Sequence, residues 1–220
     1  IIYKNFLKQA MSKTVDLTGM KIILDCSNGA TYKIAPSVFS ELGTDIEAIF
    51  IHPDGKNIND HCGSEYPEVL IQMVIYKGAD FGLAFDGVGD RLIAIDETGD
   101  VFSGDQILAV CAKFLKQHGL LKGNRVVSTI MSNMGLSVAL NNLGIAHIRS
   151  NVGDRYVMAE MLESGAVLGG EDSGHMIFLD YHTTGDGLLT ALRLIEVIKK
   201  TTKPLSELKE VMTVFPQILL

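Results

Sequence analysis

The sequence predicts an α/β protein built from two similar tandem α/β/α domains with mostly parallel, mixed sheets. Short apolar runs such as "KIILDC" at 21–26 alternate with amphipathic stretches, the order that produces crossover-connected parallel strands. A Ser-Asn signature with a nearby Gly recurs at two strand-to-helix junctions, "DCSNGA…ELG" at 25–43 and "IMSNMG…NLG" at 130–144, and Asn28 and Asn133 lie 105 positions apart. At 220 residues the chain is long enough for two compact units of about 100 residues each.

Along the chain, Ile2, Phe6, Leu7 and Ala10 fall at helical spacing, and Thr14–Gly19 interrupt the pattern. A linker helix is expected over 1–17. The first domain, 18–120, then reads as the strand at 21–26, a "SNGAT" loop, a helix to Leu42, a strand at 45–51, a polar loop, a helix at 67–77 and the buried strand "DFGLAF". "RLIAID" and "VF" flank "ETGD", whose Thr-Gly centre suits a strand reversal, and Gly104–His118 resumes a helical pattern. "HGLLKGN" at 118–124 marks the boundary. The second domain, 121–220, repeats the order: strand "RVVSTI", helix, strand "AHIRS", loop "NVGDR", helix, short strand "AVLG", loop "GEDSGH" and strand "MIF". The terminal "VFPQILL" reads as a strand cut short, and with Ile1 in place of Met it suggests part of a longer protein.

Composition narrows the function classes. With 47% hydrophobic and 20% charged residues the chain is that of a soluble globular protein, and no apolar run approaches the roughly 20 residues of a membrane span. A net charge of −7 without a basic stripe speaks against nucleic acid as a partner. The three cysteines, Cys26, Cys62 and Cys111, are odd in number and widely spaced, which argues against a disulfide framework or a zinc site and fits a reducing cytoplasm.

Three loops could carry chemistry. In "AFDGVGDR", 84–91, Asp86 and Asp90 follow a buried strand, and the intervening glycines allow a turn that aims both carboxylates at one point. That arrangement suits a hard cation such as Mg²⁺, or equally an Asp-Gly turn with solvated acids; Arg91 is a charge-balancing neighbour or a phosphate clamp. In "GGEDSGH", 169–175, Glu171, Ser173 and His175 alternate, so a locally extended backbone would present acceptor, hydroxyl and imidazole on one side for a polyhydroxylated ligand; the other reading is a Gly-rich connection. "NVGDRY", 151–156, places Arg155 at a strand-to-helix crossover, where an anion could bind or Asp154 could serve as an N-cap. Asp105 in "SGDQ" and Asp186 in "TTGDG" read as first-turn helix residues, and His52, His61, His118, His147 and His182 as locally hydrogen-bonded side chains.

Taken together and in order, "FDGVGDR", "VGDRYV", "GGEDSGH" and "FPQIL" resemble the middle of the α-D-phosphohexomutase superfamily, and the Glu-Asp-Ser-Gly-His form of the third motif resembles its bacterial phosphoglucosamine mutases. "LDCSNGATYKIAP", "NIND", "CGS", "MSNMGL" and "TTGDG" extend the likeness over essentially the whole chain. The resemblance implies the second and third of four domains, the metal loop and the sugar loop, without the phosphoserine and C-terminal phosphate-binding domains. It implies interconversion of glucosamine 6-phosphate and glucosamine 1-phosphate in UDP-N-acetylglucosamine and cell-wall precursor synthesis, through a phosphoserine and a bisphosphate, glucosamine 1,6-bisphosphate or glucose 1,6-bisphosphate. Asp86 and Asp90 match metal ligands, Arg91 the catalytic arginine, and Glu171, Ser173, His175 and Arg155 the substrate contacts. The family pattern is Asp-Gly-Asp-Gly-Asp-Arg, so Val88 stands where a third ligand belongs, and weak Mg²⁺ binding and an inactive isolated chain are expected. A phosphomannomutase or phosphoglucomutase, or a noncatalytic sugar-phosphate-binding module, are the alternatives. The expected partners are a phosphosugar and the remaining domains, with a homodimer left open.

Overall fold

The computed structural model describes residues 2–12 and 15–218. Residues 13–14, within the linker helix expected over 1–17 and at the start of the expected break, and the last two residues of "VFPQILL" lie outside this range, as does Ile1.

Helix α1 (Ile2–Ala10) precedes β1 (Lys21–Asp25), α2 (Ile34–Glu41), β2 (Asp45–Ile49), α3 (Glu68–Lys77), β3 (Phe81–Phe85), β4 (Leu92–Asp96) and β5 (Val101–Phe102). After α4 (Gly104–Gln117) come β6 (Arg125–Thr129), α5 (Met134–Asn142), β7 (Ala146–Ser150), α6 (Asp154–Ser164), β8 (Leu168–Gly170), β9 (Met176–Phe178), α7 (Gly187–Thr201) and α8 (Leu205–Leu208). The sheet orders are β2-β1-β3-β4-β5 and β7-β6-β8-β9. In each, a central strand pairs in parallel with two neighbours, and the last of these turns back through an antiparallel partner, β3 to β4 and β8 to β9. The expected repeat of one α/β/α pattern is therefore present in the topology.

The central strands are buried on both faces because helices cover both sides. β3 and β4 are buried along their whole length, which is why they read as continuous apolar runs rather than alternating ones. On one side α3 covers Ile23, Ala84, Ile93 and Ile95, and in the second half α6 covers Val127 and Ile177. The opposite faces share one continuous core, in which α4 and α7 bring Leu108, Leu192 and Ile195 together with Leu24, Leu83 and Leu168. The α4 helix packs on β4 of the first sheet and on β8 of the second, so the two halves are joined through apolar side chains as well as through the chain.

The C-terminal stretch departs from expectation. Residues 213–218 form no ladder with any described strand, and Phe215 is held instead by the Asn133 side chain. No helix among the described residues is long and apolar enough to cross a membrane.

Candidate functional site

The loops singled out in the sequence emerge at the same ends of the two sheets. Strand β3 runs out at Phe85 into the loop carrying Asp86 and Asp90, and β8 runs out at Gly170 into the loop carrying Glu171, Ser173 and His175. The two loops meet directly: Arg91 and His175 form an antiparallel bridge, and the Leu92 N–H donates to the Gly174 carbonyl at 3.1 Å. Gly174 has φ +90°, and a Cβ there would lie 2.1 Å from the Leu92 carbonyl oxygen, so only glycine permits this approach.

Within the first loop, Asp86 folds the turn around its own carboxylate. Its Oδ1 accepts from the Gly89 and Arg91 N–H groups, each at 3.0 Å, and its Oδ2 lies 3.3 Å from the Val88 nitrogen. Asp90 is in the opposite situation: its Oδ1 is buried and has no hydrogen-bond partner, and its Oδ2 lies 3.7 Å from His175 Nε2. Burial, and after it the neighbouring Asp86 charge, raises the Asp90 carboxyl above its ordinary range. Two adjacent carboxylates with one orphaned buried oxygen fit a hard cation, which would relieve both the repulsion and the missing partner. The fit is incomplete. Val88 is 70% exposed and adds no ligand, and no group of three His, Cys, Asp or Glu side chains able to hold a metal occurs among the described residues.

The second loop is a turn and not the extended segment that alternation assumed. The Gly174 N–H closes back on the Glu171 carbonyl, and the Glu171 N–H donates to the His175 carbonyl, both at 3.0 Å. The three side chains consequently diverge. Ser173 is exposed, His175 is buried against Asp90, and Glu171 Oε1 accepts from the Gly153 N–H at 3.0 Å. That last bond ties the loop to the start of α6, where Arg155 lies exposed, stacked 4.5 Å over the Tyr156 ring with Nη2 donating to its hydroxyl at 2.6 Å. The Arg91 guanidinium is 3.9 Å from Glu65 Oε1. All of the candidate residues thus belong to one connected group of loops, with Arg155 at its margin.

Two aspartates read as simple helix-start residues do more. Asp186 is the N-cap of α7, accepting from the Leu189 N–H at 2.9 Å, and it also receives the Tyr3 hydroxyl at 2.8 Å, which anchors α1. Asp105 is fully buried and accepts from the Asn133 N–H at 2.6 Å. Burial and then the Asp172 charge push its carboxyl up to about 6. Sequence reasoning passed over Asp25, which sits at the buried end of β1 and accepts from the Ser27 and Gly63 N–H groups at 2.8 Å; burial pushes it up to about 6. The only sequence signal for it is an acid closing the otherwise apolar run "KIIL".

Comparison with known proteins agrees with this arrangement. Residues 2–99 match the family model of phosphoglucomutase/phosphomannomutase alpha/beta/alpha domain II, and residues 103–215 match that of domain III. A phosphoglucosamine mutase of Syntrophus aciditrophicus is 55% identical over 218 residues, covering 99% of this chain and 49% of the relative. One from Bacillus cereus is 54% identical over 217 residues, covering 99% and 48%. A phosphoglucomutase/phosphomannomutase family protein of Burkholderia thailandensis superposes with a TM-score of 0.83 at 28% identity over 96% of this chain and 46% of its own. The fold is shared also with an N-acetylphosphoglucosamine mutase of Aspergillus fumigatus, in complex with GlcNAc-6P and magnesium, at a TM-score of 0.75 and 18% identity, over 97% of this chain and 52% of its own. The chain spans about half the length of the curated relatives it matches. With both loops on two joined α/β/α units and both units matched in order, the chain belongs to the phosphoglucomutase/phosphomannomutase family, of which it comprises domains II and III.

Proposed function

We propose that these two domains are the metal-holding and sugar-holding centre of a phosphoglucosamine mutase that interconverts glucosamine 6-phosphate and glucosamine 1-phosphate. The observation that carries the reading is the Arg91–His175 bridge, which fuses the candidate metal loop and the candidate sugar loop into one surface. In this reading residues 18–120 carry the metal loop, 121–220 carry the sugar loop, and α4 packs against both.

The chemistry is two phosphoryl transfers. A phosphoserine in the remainder of the protein gives its phosphoryl to the free sugar oxygen: the serine O–P bond breaks, a sugar O–P bond forms, and the hydroxyl proton leaves to solvent or a base. The resulting bisphosphate turns over and returns its other phosphoryl to serine. Such transfers depend on positioning and charge neutralisation more than on covalent help from the protein. Asp86 and Asp90 would hold Mg²⁺, whose contribution when bound is to neutralise phosphoryl oxygens. Arg91, its main-chain N–H fixed by Asp86, carries the guanidinium suited to a phosphoryl group. Glu171 and Ser173 are suited to sugar hydroxyls and Arg155 to a phosphate. His175, buried beside Asp90, serves the loops' junction.

The test is an NMR titration of the chain with glucosamine 6-phosphate, with and without Mg²⁺. Shifts should concentrate at residues 86–91, 153–156 and 171–175, while the chain alone should not isomerise the sugar. Shifts confined to other surfaces, or turnover by these 220 residues alone, would contradict the assignment.

A further inference from the structure

The first turn of α4 touches segments that lie far apart in sequence. The Gly104 N–H donates to the Asp172 carbonyl at 3.1 Å and the Asp105 N–H lies 3.3 Å from Asp172 Oδ1, so this helix start seats the middle of the 169–175 loop. The Asp105 carboxylate reaches the other way, to the Asn133 N–H at 2.6 Å. Asn133 then uses its carboxamide as a stand-in for a strand: Nδ2 donates to the Phe215 carbonyl at 2.8 Å, and Oδ1 accepts from the Phe215 N–H at 3.0 Å. Residues 213–217 are exposed along their whole length, and their polar attachments are few. Beyond Phe215, Gln217 bonds to the Met131 carbonyl and to Asn133.

The first half uses the same residue in the same way but without the link. Asn28 Oδ1 accepts from the His52 N–H at 3.0 Å, holding the 52–57 segment of its own half, while its backbone N–H donates to the Phe50 carbonyl rather than to a carboxylate. A clasping asparagine is thus a feature of the repeat. Its support by a buried aspartate that also contacts the neighbouring loop is particular to the second half.

We propose that Asp105 is the positioning residue that holds the 169–175 loop and the 213–217 segment in one fixed relation: the main-chain N–H groups of Gly104 and Asp105 hold the first, and the Asp105 carboxylate fixes that helix turn to Asn133, which holds the second. The functional meaning rests on 169–175 being the sugar loop: a loop displaced on gripping a phosphosugar would move the first turn of α4, and with it the clasp on 213–217. Burial, and after it the Asp172 charge, disfavour the ionised form of Asp105, while its Oδ2 accepts from the Asn133 N–H.

Amide hydrogen exchange in the 220-residue chain, read by NMR at Gly174, Asn133 and Phe215, tests this without any sugar. Asp105→Ala keeps the main-chain N–H on Asp172 but removes the carboxylate that pins the first turn of α4 to Asn133, so exchange should speed about tenfold or more at Phe215 and by a smaller, measurable factor at Gly174, with β1 and β3 unchanged. Asp105→Asn keeps an oxygen to accept from Asn133 and should restore both. Gly135→Ala dislodges the segment from its far side, since a Cβ at 135 would lie 1.8 Å from the Thr213 carbonyl oxygen; it should free Phe215 and leave Gly174 protected. Wild-type exchange at either site in Asp105→Ala, or a Gly135→Ala chain whose sugar loop loosens equally, overturns the proposal. Should Asp105→Ala fail to fold, Gly104→Ala replaces it, because its Cβ would lie 2.3 Å from the Glu171 carbonyl oxygen. Both sites must then loosen together, and loosening of Gly174 alone refutes the coupling. If the sugar-loop assignment were the part at fault, this exchange pattern would hold while glucosamine 6-phosphate left 171–175 unshifted.

Discussion

Arg91 and His175 lie in different halves of the chain and form a single antiparallel bridge, reinforced one residue on by the Leu92 N–H on the Gly174 carbonyl. The first strand of the β4–β5 pair is thereby continued into the loop that follows β8. A loop from each half shares backbone hydrogen bonds with the other, so neither can shift far alone.

Gly174→Ala tests that junction. The alanine would need φ +90° and would set its Cβ 2.1 Å from the Leu92 carbonyl oxygen, so both backbone strain and overlap act at once. We expect a loss of at least about 2 kcal/mol in urea unfolding, together with faster exchange at Leu92. A loss below about 0.5 kcal/mol would mean the loops separate without cost.

A second link between the halves is ionic. Lys209 Nζ lies 2.6 Å from both Asp96 Oδ2 and Asp100 Oδ2, and Asp96 is fully buried. Burial alone would raise the Asp96 carboxyl, but Lys209, the Thr98 hydroxyl and the Asp100 and Thr98 N–H groups together hold it below the ordinary range. A lowered carboxyl contributes stability above its unfolded-state pKa and loses it as pH falls through the folded one. Lys209→Met keeps the aliphatic stem and removes the charge. Its cost should be about 1–3 kcal/mol at pH 7 and should shrink when urea unfolding is repeated at pH 3. A pH-independent difference would assign the effect to packing.

What could be read from the sequence divides along a physical line. The strands and main helices were legible because buried parallel strands and two-sided coverage leave unbroken apolar runs, as in "FGLAF" and "LIAID". The repeat was legible because Asn28 and Asn133 do the same backbone-clasping work at equivalent crossovers. The loop of Glu171, Ser173 and His175 was found but its geometry was not. Alternation predicts one shared face only for an extended backbone, and the turn closed by Gly174 is set by the Leu92 contact from the other half, which no local pattern encodes. The apolar end "VFPQILL" shows the converse: its described residues join neither sheet despite their β-propensity, and Phe215 is held by a side-chain clasp. Asp105 is the first-turn helix residue its pattern indicates, but its bond to Asn133 was not legible, since that partner lies 28 residues away in sequence.

His147 supplies a pH prediction independent of the candidate site. Its ring lies between Ser128 Oγ, 2.7 Å from Nε2, and Ser137 Oγ, 2.9 Å from Nδ1, and burial, followed by the Arg149 charge, pushes its pKa down to about 4. A histidine lowered in the folded state contributes stability that is present above about pH 6.5 and is lost as pH falls toward 4, because only the unfolded chain takes up the proton in that window. An NMR titration of the His147 ring should show a midpoint near 4. Arg149→Gln should raise it, though not fully, since burial is the larger cause. A midpoint at or above about 6 would show that the ring is hydrated and the two serine contacts are not made.

Val88→Asp bears most directly on what the metal loop can do. Val88 is 70% exposed, so an aspartate there disturbs no core packing, and the turn it belongs to is closed by Asp86 through the Gly89 and Arg91 N–H groups, which the substitution leaves in place. Without cation, a third carboxylate beside Asp86 and the already raised Asp90 adds like-charge repulsion, so the variant should be slightly less stable than the parent. With Mg²⁺ the order should reverse, because the cation gains an anionic ligand and binding to the folded state alone adds stability as RT ln(1 + c/Kd), where c is the free Mg²⁺ concentration. A tenfold gain in affinity corresponds to about 1.4 kcal/mol. Calorimetric Mg²⁺ titrations of both proteins, with melting temperatures measured in chelator and in excess Mg²⁺, separate the two effects. Equal affinity in the two proteins would mean that Asp86, Asp90 and water suffice, and that Val88 does not weaken the site; binding seen only in Val88→Asp would mean that the parent loop is a turn whose metal chemistry has been lost.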